Sequence, residues 1–230
     1  MTIHLRRDLE ILQTDLLSMC AKVAEAVHQG VAALGHPDPE FTRALAQHDD
    51  EIDQCDVRLE DACLKILALH QPVASDLRRI AAILKITGEL ERIADLGVSI
   101  AERAGALAHL PPIEIPEKLN TMARRSLEML DRSIESYVKL DAKAAREICS
   151  EDDQIDELNR QIIDDLRDLM QSCPGLIEPA MHLFSACRSV ERVADHATNI
   201  AEDVIYLVEG DIVRHQIEHQ LDVVRVRESA

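Results

Sequence analysis

The chain has 230 residues, 47% of them hydrophobic, enough to bury a sizeable core in one large domain or two small ones. Two Phe, two Tyr and no Trp among abundant Ala, Leu, Ile, Arg and Glu favour helices packed through aliphatic stripes and argue against sheets. A formal charge of -18 opposes binding to phosphate backbones and excludes a nucleic-acid binder with a basic face; partners are expected to be basic, or the acids hold cations.

Apolar residues recur at three- and four-residue spacing in segments separated by a few Pro and Gly, which predicts six long helices. The first runs from about Leu5 to Leu34 and stops at GHPDP, where Asp38 caps the second and Pro39 enters its first turn. The second ends near His70, before Gln71-Pro72, and the third extends to about Ala108. LPPIEIP, Leu110 to Pro116, is the least helical stretch and separates residues 1–109 from 117–209 as a linker, 110–116. The fourth helix covers about Glu117 to Lys139, the fifth starts at Asp141 as its cap and ends at SCPG, and the sixth spans about Leu176 to Glu209. Residues 210–230 form a tail without a counterpart in the first half.

Helices of thirty-odd residues are roughly 45 Å long and must pack side by side. Three per half, joined by short turns, predict an all-α fold of two tandem, pseudo-symmetric three-helix bundles placed end to end. The six cysteines show neither CxxC nor zinc spacing and sit mostly at apolar helical positions, as buried reduced thiols do. No signal pattern opens the chain and no apolar run is long enough to span a bilayer, so a cytoplasmic protein without membrane insertion is expected.

The two halves repeat each other. Between Glu91 and Glu102, seven of twelve positions recur one hundred residues later, including Glu91, Arg92, Ala94 and Asp95 as Glu191, Arg192, Ala194 and Asp195. A shift of 103 residues sets Asp49, Asp50, Ile52 and Asp53 on Asp152, Asp153, Ile155 and Asp156. A duplicated bundle accounts for shared apolar positions such as Ile100 and Ile200, but it does not account for shared acids.

Helical spacing puts Glu91, Asp95 and Glu102 on one face of the third helix, and Glu191, Asp195, Asn199 and Glu202 on one face of the sixth. Asp49, Asp53, Asp56 and Glu60 form a stripe on the second helix, and Asp152, Asp156 and Asn159 continue the pattern on the fifth. Like charges at i,i+4 destabilise a helix, and these stripes lack most of the Lys or Arg that a solvated face interleaves. If paired helices bring the stripes together, a bound cation relieves the repulsion. Oxygen-only ligands suit hard cations, and carboxylate-rich bundles also hold iron. The competing readings are a solvated acidic face and a carboxylate-bridged metalloenzyme. Only one Glu-x-x-His, Glu25 to His28, is present, which disfavours a di-iron oxygenase-type site. His196 faces Leu96 at the matching place and is expected to support a site or lie at the surface.

The run LHQPVASDLRRIAAILKITGELERIADLGVSIAE, Leu69 to Glu102, resembles the PhoU family of phosphate-uptake regulators. ERVADHATNIAEDV in the second half, with DDEID and DDQID at matching places, extends the resemblance over nearly the whole chain. Family members are two similar three-helix bundles that bind multinuclear metal clusters through E(D)xxxD motifs and have no known catalysis. The resemblance therefore implies a non-enzymatic, metal-binding adaptor that represses phosphate uptake and the phosphate-starvation response. Its implied partners are the ATPase subunit of the phosphate transporter and the sensor histidine kinase of the phosphate two-component system, and a homodimer is expected. The implied location is cytoplasmic, peripheral at the inner membrane through those partners. Carried onto this chain, the metal positions are Asp49 with Asp53, Glu91 with Asp95, Asp152 with Asp156, and Glu191 with Asp195, joined by Asn199, which stands where the third helix has Ser99. The implied cofactors are divalent or trivalent ions: iron, zinc, manganese or magnesium.

Overall fold

The computed structural model describes residues 3–35, 39–211 and 213, and the side chains of 39–49 lie outside that description. The predicted cap Asp38 and most of the predicted tail therefore also fall outside it. The described secondary structure is all helical: α1 (Ile3–Gly35), α2 (Pro39–His70), α3 (Ala74–Leu107), α4 (Glu117–Lys139), α5 (Ala142–Cys149), α6 (Asp152–Ser172) and α7 (Ile177–Glu209), with a 3-10 turn at Pro174–Leu176. Six are long, and α5 has only eight residues.

The predicted fifth helix thus divides into α5 and α6. The Ser150 hydroxyl donates to the Glu147 carbonyl (2.6 Å), and the Glu151 amide reaches back three residues to Ile148 (3.0 Å). Arg132 holds the Glu151 carboxylate at 2.6 Å. Serine's competition for the backbone breaks the regular ladder, and a new helix starts at Asp152. Asp152 and Asp153 then occupy the first turn of α6, where the helix dipole favours negative charge. Asp141 caps α5 as expected, accepting from the amides of Lys143 and Ala144 at 3.0 Å each. Its replacement by Ala is expected to cost about 1 kcal/mol, read as a lower denaturant midpoint at unchanged slope.

The first bundle is α1, α2 and α3; the second is α4, α6 and α7, with α5 lying between α4 and α7. The bundles do not sit end to end. They lie side by side, because α3 packs along α7 and α1 touches α4. Cross-links between α3 and α7 show an antiparallel register: Lys85 with Asp203 (2.8 Å), Glu89 with Asn199 (3.1 Å) and Ser99 with Ser189 (3.3 Å). Exchanging the halves by one hundred residues converts the Glu89–Asn199 pair into the Ser99–Ser189 pair, so a pseudo-twofold axis relates the bundles. The same register sets Ala94 against Ala194, both 0% exposed, and a small residue there lets the helices approach. On α1 and α4, His28 and Asp131 meet at 3.2 Å, and they too occupy matching positions in the duplication.

The buried aliphatic residues of both bundles merge into one core, with Ile83, Leu90, Ile100, Leu130, Leu183 and Ile200 fully enclosed. Each such side chain contributes roughly 1.5–3 kcal/mol through burial. Because α3 and α7 are each packed on several sides, their remaining acidic faces are held rigidly against α2 and α6.

Candidate metal centre

In the second bundle, α6 supplies Asp152 and Asp156, and α7 supplies Glu191 and Asp195. One carboxylate oxygen each from Asp156, Glu191 and Asp195 lies within 4.8 Å of the others. Burial, then the neighbouring Asp195 and Asp156, pushes the Asp152 carboxyl up to about 6, against a hydroxyl contributed by Thr198. Burial, then Glu191 and Asp156, likewise pushes Asp195 up to about 6, with His196 and Arg188 opposing. Glu191 is also raised by burial, and Asp156 and Asp152 add to the shift against Arg188 and Arg192. Removal from water and mutual repulsion both disfavour the charged forms.

Glu191 is 8% exposed. Its Oε1 accepts from Asn159 Nδ2 (3.3 Å) and from Arg188 (3.2 Å). Oε2 is buried without a hydrogen-bond partner among the described residues. An unpaired buried carboxylate oxygen is costly, and here it belongs to a group of converging carboxylates, so the residues fit a cation. The donor set is all oxygen. The nearby Cys187 thiol is given to Asn159 (3.1 Å), and burial, then Glu191, pushes it up to about 12.

The first bundle holds a looser version. Asp53 on α2 and Asp95 on α3 are exposed, and Asp56 and Glu91 are half-buried. Glu91 is raised by burial, then by Asp95, Asp56 and Asp53; Asp95 is raised by burial, then by Asp53. Asp56 is raised by burial, then by Glu60 and Asp53. These acids therefore share one neighbourhood. Asp49 falls in the stretch whose side chains lie outside the described residues.

Asn199 turns its amide nitrogen to the interface between the bundles. Its amide donates to Glu89 across the α3–α7 seam, where His196 Nδ1 also donates to Glu89 (2.6 Å). Burial by itself would raise the Glu89 carboxyl, but hydrogen bonds from His196 and Asn199 outweigh it and hold it below its ordinary value. His196 is buried, so it is a bridge between bundles and not a surface residue. Two residues beside the acids escape a ligand set drawn from the duplicated pairs alone: Asp56, and Asn159 at its matching place. The stripe spacing, three residues beyond Asp53 and Asp156, marks both. The Thr198 hydroxyl, which donates to Asp152 (3.4 Å), carries no such mark because Val98 stands opposite it in the repeat.

The sequence matches the PhoU domain model twice, over residues 16–104 and 119–204. The chain belongs to the PhoU family. It is 39% identical over 210 residues to the phosphate-specific transport system accessory protein PhoU homolog of Aquifex aeolicus, covering 91% of this chain and 95% of that one. The crystal structure of PhoU from Pseudomonas aeruginosa superposes with a TM-score of 0.86 at 32% identity, over 90% of this chain and 99% of that chain. The phosphate transport system regulatory protein PhoU from Streptococcus pneumoniae gives 0.84 at 28% identity, over 91% and 99%. The two PhoU matches coincide with the two bundles, and each contains one acidic group. No helix among the described residues is long and apolar enough to cross a membrane.

Proposed function

We propose that this PhoU-family chain is a non-enzymatic, metal-binding adaptor that represses phosphate uptake and the phosphate-starvation response. The observation that carries the metal part is the buried, unpaired Glu191 Oε2 beside Asp156 and Asp195. A cation there neutralises the repulsion and cross-links α6 to α7; a second cation among the acids on α2 and α3 does the same in the first bundle. The regulatory part is supported by relatives named as accessory proteins of the phosphate-specific transport system and by a structural neighbour named as a regulatory protein of phosphate transport. The cations act as structural ties, and the chain offers a rigid helical surface to the transporter ATPase subunit and the sensor histidine kinase. Such an adaptor works in the cytoplasm, at the membrane only through its partners, and as a homodimer.

The test is the double variant Asp156→Asn, Asp195→Asn. Its metal content, measured by mass spectrometry on protein purified without chelator, is expected to fall to what the first-bundle site alone retains. Expressed in cells that lack the native chain, it is expected to leave a phosphate-starvation reporter switched on in ample phosphate. Unchanged metal content would refute the site, and an intact phosphate response in cells without any copy of the chain would refute the regulatory role.

A further inference from the structure

The carboxylates of the two acidic groups are duplicated, but the groups that hold Glu191 are not. Asn159 and Arg188 both donate to Glu191 Oε1, and Asn159 Oδ1 accepts the Cys187 thiol at 3.1 Å. Cys187 and Glu191 lie one turn apart on α7 with the Asn159 amide between them, so the thiol fixes the acceptor end and the carboxylate fixes the donor end. Asn159 is 5% exposed and Cys187 is 0% exposed, so bulk water does not compete for these bonds. Oε1 is thereby occupied, and Oε2 is left free to hold a cation.

At the matching positions the first bundle carries Asp56, Thr87 and Gly88. An aspartate has no proton to give Glu91 and instead repels it. The Thr87 hydroxyl is spent on the Ile83 carbonyl of its own helix (2.8 Å), and Gly88 has no side chain. All three supports are missing around the one carboxylate.

We propose that Asn159, aligned by Cys187 and assisted by Arg188, is a positioning residue that pre-organises Glu191 and makes the second-bundle group the tighter of two unequal cation sites. This rests on the metal reading above. A ligand already fixed loses less freedom on binding, and hydrogen-bonding partners behind a metal ligand change affinity by roughly 10- to 100-fold. The extra charge of Asp56 favours the first group, but its half-buried position at the solvent edge leaves that attraction screened. Pre-organisation of a buried ligand prevails.

The test titrates the full, metal-free chain with Mn²⁺, followed by calorimetry and by the spin signal of free Mn²⁺. Two classes of site are expected; Asp195→Asn removes the tight class and Asp95→Asn removes the weak one. Asn159→Leu and Cys187→Ala are expected to weaken the tight class by roughly 10- to 100-fold and leave the weak class unchanged. Cys187→Ser keeps a donor for Asn159 and is expected to stay within a few-fold of the native chain, which a mere packing role for Cys187 does not predict. Asn159→Asp is expected to weaken binding although it adds negative charge; tighter binding would show that charge alone sets affinity and overturn the proposal. A tight class untouched by Asn159→Leu, or lost with Asp95→Asn and not with Asp195→Asn, would also overturn it. Failure of the native chain to bind Mn²⁺ at all would bring down the metal reading itself, and this inference with it. If Asn159→Leu fails to fold, the Cys187→Ala and Cys187→Ser pair decides.

Discussion

Replacing Gly30 with alanine is expected to destabilise the protein by about 2–3 kcal/mol or more. At the crossing of α1 and α3, a methyl group on Gly30 would stand 2.3 Å from the backbone carbonyl oxygen of Gly97. A carbonyl in the middle of a helix cannot rotate aside, so the two helices must separate. A methyl group on Gly97 would in turn stand 3.1 Å from the Val27 backbone, so the crossing is tight from both sides, and separation opens gaps among the neighbouring core residues. At roughly 2–4 °C per kcal/mol for a chain of this size, the thermal midpoint should fall by about 4–12 °C. The control is Gly88→Ala on α3, where an added methyl meets nothing within 4 Å. It should instead stabilise by about 0.5–1 kcal/mol by restricting the unfolded chain. Equal midpoints for Gly30→Ala and the native chain would show that the helices have room to spare at this crossing. Gly97 lies two residues beyond Asp95, so the same displacement is expected to disturb the first acidic group.

The second large effect is a reversal of pH dependence by metal. Asp152 and Asp195 have folded-state values of about 6, and an unfolded aspartate titrates near ~3.9. Between those values the folded state binds more protons than the unfolded one, so stability falls as pH rises. The contribution of these groups is complete below about pH 4, declines through about pH 6 and is gone above it. After allowance for solvent screening of two partly exposed groups, the loss is on the order of 1 kcal/mol each. The metal-free protein is therefore expected to melt several degrees lower at about pH 7.5 than at about pH 5. With excess Mn²⁺ the order reverses, because a cation competes with the protons and binds best once the acids are ionised. At a hundred times the dissociation constant it adds about 2.7 kcal/mol. Asp152→Asn with Asp195→Asn should flatten the metal-free profile and raise stability near neutral pH. Thermal melts at both pH values, with chelator and with Mn²⁺, check this; a double variant as pH-sensitive as the native chain would remove these two acids as the cause. The acidic groups are thus destabilising until occupied, as ligand sites often are.

Much of the fold was legible because its determinants are local. The period of apolar residues and the scarcity of Pro and Gly mark each long helix, and Asp141 announces the start of α5 by its own side chain. The duplication was legible too, since recurring Glu91, Asp95, Glu191 and Asp195 need no coordinates to recognise. Those pairs also named the helices that carry the acids. The break at Ser150 was not visible, because a serine hydroxyl bonds the preceding turn only in some contexts, and Arg132 on another helix holds the next residue.

What the sequence determined by itself is the helical class, the twofold repeat and which helix faces are acidic, because spacing along one helix sets which side chains share a face. The tertiary structure decided which of those faces meet. It set α3 against α7, so the bundles lie side by side, and it drew Asn199 to Glu89 while leaving Glu191 with one free buried oxygen. It also made the two acidic groups unequal, through Asn159, Cys187 and Arg188. Helical periodicity fixes direction around an axis, but a hydrogen-bond partner on another helix depends on the register between helices, which packing of the whole core selects.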